Sequence, residues 1–328
     1  MTHGDFDYEY LKRLAIGPDG LPRFDLLRFA GHFDSLMFGR RGHRRPADEA
    51  ELNPARRAFV EAFERLRREH GVRHDLAHNM TLTPRNLDQV ADVVRSCMGM
   101  GFGMFSFQPA AHVGNPNRWR EDYQTVTLDA VWTEIERGAG VRLPWRHLQM
   151  GDERCNRAAY GVLAGERWVP LLDDLDPRGL AVRDAFLLAF GGMDFDRPAW
   201  QVLLRCARVA VRRPAAVVAA VGWGARFARR LGVSGLRRGR PRGLTFVVHA
   251  FMDASVVQAA WQAMEAGAIP EDLDVCAAVE RLRACSYGMA HPDDGRIVPA
   301  CVQHSVLDRR ENEQLLTLLP MARDSRIR

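Results

Sequence analysis

Three cysteines stand where thiolate chemistry is expected. Cys155 lies in GDERCNR, Cys285 in ACSYGMAHPDDGR and Cys301 in VPACVQH, each beside polar or turn-forming residues. Thiolates are soft donors suited to iron–sulfur clusters and zinc, and such centres usually take four ligands. Cys285 and Cys301 flank the turn signal Pro292-Asp293-Asp294-Gly295, and a hairpin of that span would bring their sulfurs together. Spacing does not name the fourth donor; His291, His304 and a bound substrate atom are the candidates. Cys97, Cys206 and Cys276 read differently. Each falls in an expected apolar helix and is expected in the core, where free cysteine is commonly buried. No two cysteines form a CxxC, which excludes a zinc ribbon, a thioredoxin motif and a CxxxCxxC cluster loop.

A second set of polar groups stands at the ends of two expected strands: His78, Asn79 and Thr81 in the first, then Gln108, His112 and Asn115 after the second. In folds with parallel strands, functional residues gather at the carboxyl ends. A plain surface loop is the competing reading, because loops are naturally polar.

The elements that must position these groups follow from periodicity. Asn53-Pro54 reads as a helix cap with proline in the first turn, and Phe59, Phe63 and Leu66 share one face up to Gly71. A strand over 72–82 follows. Thr83-Pro84 repeats the cap signal, and Leu87, Val90, Ala91, Val94 and Met98 make a helical stripe. MFSFQ, residues 104–108, reads as a buried strand. Helix, strand, helix, strand argues for parallel strands joined by a crossover. Upstream, the aromatic run over 21–42 with Phe24, Phe29, Phe33 and Phe38 reads as a helix packing its apolar face. Downstream, 129–136 reads as a helix, and 159–164 with 166–172 as a hairpin around a glycine turn.

The chain has 328 residues, 47% apolar and 27% charged, which is the composition of a globular protein with room for a sizeable core. Its 46 basic and 41 acidic residues leave a net charge of +5. That balance hides a segregation. Residues 197–252 hold twelve arginines and no Asp or Glu, so the rest of the chain is net acidic. Apolar residues such as Val209, Val217, Val221 and Trp223 interleave, and the segment reads as a basic amphipathic helix pair. Three uses compete: an anionic membrane surface met by the arginines from Arg205 to Arg242, nucleic acid, and a solvated face or acidic partner. Sparse aromatics and the lack of any nucleic-acid motif disfavour nucleic acid. The first twenty residues have no apolar h-region and no stretch reaches the length of a membrane span, so the expected location is cytoplasmic, with peripheral membrane contact as an option. Walker, HExxH, GxSxG and strand-borne GxGxxG motifs are missing from the sequence.

Three ordered blocks resemble radical S-adenosylmethionine enzymes related to tetraether lipid synthase. They are FSFQPAAHVGN at 105–115, MGDERCNRAAYG at 150–161, and FMDA at 251–254 with CSYGMAHPDDGRIVPAC at 285–301. The resemblance spans roughly 70–310. It implies an α/β fold: the second half of a partial (β/α)6 barrel with an α+β C-terminal extension. The implied organisation is a partial barrel over 1–140, a cysteine-containing hairpin extension over 141–196, an arginine-rich helical segment over 197–242 and an auxiliary-cluster domain over 243–328. Cys155, Cys285 and Cys301 match the ligands of an auxiliary iron–sulfur cluster. Gln108 and Pro109 match the barrel strand end near S-adenosylmethionine, with Asn79 and His112 as further cofactor contacts. The implied reaction is hydrogen abstraction by a 5′-deoxyadenosyl radical from a hydrophobic, lipid-like substrate.

The family generates that radical at a cluster held by a CxxxCxxC loop, beside a GGEP-type motif. This sequence contains neither. A truncated or split product is the expectation, partnered by a missing N-terminal half or a reductase; a degenerate member is the other reading. The competing function is a non-catalytic scaffold or a membrane- or partner-binding module, with a structural metal site or none.

Overall fold

The computed structural model describes residues 8–35, 46–111, 126–191, 198–237, 241–291 and 294–307. Among them the strands β1 (Leu27–His32), β2 (His74–Leu82), β3 (Met104–Pro109), β4 (Asn156–Ala164), β5 (Arg167–Pro170) and β6 (Arg242–His249) form one sheet in the order β1-β2-β3-β6-β4-β5. The protein is mixed α/β and the sheet is mostly parallel, as the sequence pattern implies. The chain divides into two compact units, one of 1–142, 149–158 and 246–328, the other of 143–148 and 159–245.

In the first unit α1 (Tyr8–Ala15) precedes β1, and α2 (Asn53–His70) carries the chain to β2. β1 pairs parallel with β2, with Leu27 opposite His74 and His32 opposite Asn79. The aromatic run therefore does not form a helix. Phe29 and Phe33 recur with helical spacing, but the strand wins because Phe29 within it and Phe33 directly after it both reach α2: Phe29 lies 5.4 Å from Phe63, and Phe33 5.4 Å from Phe59. Gly31 permits this, since a Cβ there would meet the Phe33 ring at 2.4 Å. Phe38 lies outside the described residues.

α2 ends where expected. Gly71 takes a left-handed φ of 72° and its N–H bonds the Arg67 carbonyl. Asn53 is the first helical residue rather than the cap, and its side chain accepts from Arg56 Nη1 at 2.9 Å. Thr83-Pro84 opens a tight turn closed by Thr83 N–H donating to Asn86 Oδ1 at 2.9 Å, and α3 (Val90–Cys97) starts later than the cap signal implies. β2 and β3 pair parallel, with Thr81 opposite Gln108. α4 (Leu128–Ala139) is capped by Thr127, whose hydroxyl accepts from Ala130 N–H. Phe63, Phe102, Phe105 and Phe107 are fully buried, and each such burial contributes about 1.5–3 kcal/mol.

The second unit holds the β4–β5 hairpin from Ala159 onward, turned at Gly165 with φ 67°. Trp168 is buried and its indole N–H donates to the Leu244 carbonyl at 2.8 Å. Three helices follow: α5 (Pro177–Phe190), α6 (Ala199–Arg212) and α7 (Pro214–Arg237). The arginine segment is helical here, as its periodicity implies, and then enters β6. Cys206 is exposed, not core. Its helix, α6, has no buried residue at all; an apolar stripe reveals a face but not whether anything covers it.

Back in the first unit, α8 (Ala254–Ala266) and α9 (Leu273–Arg283) pack with Met252, Cys301 and Val302 into a second core. β7 (Gly288–Ala290) and β8 (Ile297–Pro299) pair antiparallel. Cys276 is partly buried and its thiol donates to the Pro270 carbonyl at 3.1 Å. Among the described residues no helix is long and apolar enough to cross a membrane.

Candidate functional site

Cys155 ends a turn that starts at Gly151. The turn is closed by the Cys155 N–H donating to the Asp152 carbonyl at 3.0 Å, and by Asp152 Oδ1 accepting from Arg154 N–H at 2.8 Å. Gly151 has φ 76°, and a Cβ on it would meet Ser286 Oγ at 2.7 Å and the Ala284 carbonyl at 2.9 Å. Glycine is therefore what lets this turn lie against the segment that carries Cys285. Cys285 follows the last turn of α9, its thiol donating to the Tyr287 carbonyl at 3.4 Å. Cys301 sits just after β8, and Ala300 N–H donates to the Tyr287 carbonyl at 3.0 Å. The β7–β8 pair thus returns the chain as the turn signal implies, although Pro292 and Asp293 lie outside the described residues.

These local folds bring Cys155, Cys285 and Cys301 to the lining of one cleft with a free volume of ≈ 30 Å³. About 10–15 Å³ holds one water, so the space suits a single ion or a pair of waters. Arg281, on α9, donates from Nε to Cys155 Sγ at 3.0 Å and from Nη2 to the Ala250 carbonyl at 3.3 Å. Burial pushes the Cys155 thiol up, and Arg281 opposes that. Burial pushes Cys301 up to about 11. His249, at the end of β6, lines the same cleft and stacks on Tyr287 with ring centroids 4.9 Å apart. Burial lowers its pKa to about 4, so it is a neutral imidazole at pH 7.

The donor set is that of a thiophilic centre: three thiols and a neutral imidazole around one hollow. Among the described residues, however, no three Cys, His, Asp or Glu side chains stand close enough to hold a metal ion. The thiols share a cleft without being drawn into a coordination shell. The residues fit a metal or cluster in kind, and ligation would require the three thiols to turn in and the cleft to widen. His249 was not among the expected fourth donors. Its signal was its position as the last residue of an apolar strand, which alone does not name a ligand. Of the expected donors, His291 pairs with Asp294 at 3.6 Å and His304 lies 6.1 Å from the Phe251 ring; neither lines the cleft.

The second set of candidates separates. Asn79 lies in β2, with its Oδ1 buried and unpartnered. Gln108 and Pro109 end β3, opposite Thr81 and Leu82. Pro109 lines a hollow of ≈ 390 Å³ with Ala110, Ala111, Met252, Asp253 and Arg281. Gln108 and Asn79 do not line it. His112 and Asn115 lie outside the described residues. Arg281 faces both this hollow and the cysteine cleft. His78 is not a strand-end group. It is fully buried inside β2, where Nε2 accepts from Arg56 Nε at 2.9 Å, and burial holds its pKa well below the usual imidazole range. Arg56 is itself fully buried, bonded to the Glu49 carboxylate at 3.1 Å and to the Glu49 and Phe33 carbonyls. At the end of β1, His32 Nε2 lies 2.5 Å from Asp34 Oδ2 and 3.0 Å from Thr81 Oγ1.

Compared with protein-family models and with curated proteins, the chain matches none.

Proposed function

We propose that the chain is an iron–sulfur protein of the radical S-adenosylmethionine kind, with the latter part of a partial (β/α)6 barrel, in which Cys155, Cys285 and Cys301 hold an auxiliary cluster. The observation that supports it is the convergence of these three cysteines, separated by up to 146 residues in sequence, on one cleft. Their fourth position would go to His249 or a small molecule. When bound, such a cluster supplies an electron-transfer or substrate-anchoring iron. The chain's own residues do the rest. Arg281 holds Cys155 and orients it by a charge-assisted bond. The ≈ 390 Å³ hollow after β3 and β6, polar at Asp253, Asp274 and Arg281, gives S-adenosylmethionine or a substrate a place next to the cysteines. The radical-generating loop is not in this sequence and would come from another segment or chain.

The test is anaerobic reconstitution with iron and sulfide. Bound iron and a broad visible absorbance are expected, both falling sharply in Cys155→Ala, Cys285→Ala and Cys301→Ala. Iron content unchanged in all three variants refutes the reading.

A second reading, a non-catalytic module on an anionic membrane, is favoured by the exposure of Trp200, Leu203, Val211 and Val218 among the arginines of α6 and α7. Flotation with anionic and neutral vesicles tests it. Binding should need anionic lipid and weaken with salt; binding indifferent to both refutes it.

A further inference from the structure

The arginine-bearing helices enclose a hollow that the cysteine chemistry does not use. It lies between α5, α6 and α7 and has a volume of ≈ 750 Å³, in the upper part of the roughly 300–1,000 Å³ range of small-ligand sites. Phe186, Phe190, Val209, Val217, Val221 and Trp223 line it. Its one charged lining group, Arg183, is already engaged by the His147 carbonyl at 2.9 Å and by Asp184 at 2.6 Å. A second hollow of ≈ 260 Å³ shares Ala189 and Val209 with the first and is lined by Arg205, Arg208, Arg212 and Arg213. Arg205 reaches the Ala189 carbonyl at 3.5 Å. The guanidiniums of Arg208, Arg212 and Arg213 make no ion pair with any described residue, and residues 197–252 offer no acidic one. Phe186, Leu187, Val217 and Val221 of this lining are exposed, and contiguous exposed apolar surface of this kind marks a binding groove.

We infer that this unit binds an anionic amphiphile, its long apolar chain in the α5–α7 hollow and its carboxylate or phosphate on the α6 arginines. The two ends of the site name the class. A neutral hydrocarbon would leave the arginines unmatched, and a free polar anion would leave the apolar hollow unfilled. Guanidinium forks match carboxylate and phosphate oxygens. The inference rests on α5–α7 alone and holds whether or not the cysteines bind iron.

Cys206 lines the apolar hollow and is exposed, so it reports occupancy without any substitution. The full chain is titrated with cis-parinaric acid, with its methyl ester, and with phosphatidylglycerol or phosphatidylcholine vesicles. Fluorescence and alkylation of Cys206 are followed, the latter by peptide mass. The acid should bind saturably, about tenfold or more tighter than the ester, and protect Cys206. Arg208→Glu combined with Arg212→Glu should weaken the acid and spare the ester. Ala220→Trp, or Ala216→Phe if the first variant fails to fold by circular dichroism, should weaken both. Protection by phosphatidylglycerol vesicles assigns a membrane lipid as the source, and protection by the acid alone assigns a free fatty acid. Equal binding of acid and ester, an unprotected Cys206, or vesicle binding that ignores the filled hollow each overturns the inference; the last leaves surface adsorption only.

Discussion

At the level of single residues, two groups set the behaviour of the cysteine cleft. Arg281 is the cation that opposes the burial of Cys155. Arg281→Met should therefore push the Cys155 thiol further up and slow its alkylation several-fold at neutral pH, read from the pH profile of iodoacetamide labelling. An unchanged profile would mean that the 3.0 Å contact does not favour the thiolate in solution. His249 gives a stability signature. Its pKa falls from 6.5 to about 4 on folding, so between those values the unfolded chain holds a proton that the native chain does not. Stability is thus full above about pH 6.5 and falls as pH drops toward 4, by up to about 3 kcal/mol. His78 acts in the same direction. His249→Phe keeps a ring against Tyr287 and should flatten part of the decline in melting temperature from pH 7 to pH 4; a decline of unchanged depth would count against it.

At the level of elements, buried polar joints hold the first unit. Arg56 ties α2 to the Phe33 carbonyl beyond β1, to His78 in β2 and to Glu49. Arg56→Leu leaves the Glu49 carboxylate buried beside an apolar group and should cost about 3–5 kcal/mol in urea unfolding, because a buried charge loses its partner. Arg56→Met with Glu49→Gln should recover part of that loss. The turn before β4 depends on Gly151. Gly151→Ala should lift the turn from Ser286 and expose Cys155 to alkylation, since both the left-handed φ and the close Ala284 carbonyl oppose a Cβ. Much of this level is legible in the sequence. The Gly71 stop, the α3 stripe and the Gly165 hairpin sit where local chemistry puts them. β1 was not legible, because Phe29 and Phe33 recur with helical spacing and only pairing with β2 makes a strand of residues 27–32.

At the level of the whole molecule, charge and burial are unevenly shared. The positive excess lies on α6, α7 and the start of β6, and α6 buries no residue. Helix amides with so little covering surface open at low free energy. In hydrogen exchange read by mass spectrometry, α6 should exchange well before β2 and β3; equal protection would refute that ranking. Local sequence carries the α/β class, the crossover units, the arginine segregation and the turn that ends at Cys155, because each depends on neighbours within a few residues, whereas Cys301, read from its polar neighbours as a turn residue, is a buried helical one. It took long-range packing to make His78 a core group held by Arg56, to bring His249 to the cysteines, and to turn Cys206 to a hollow. Those outcomes depend on which surfaces meet across tens to hundreds of residues, and no local period encodes that.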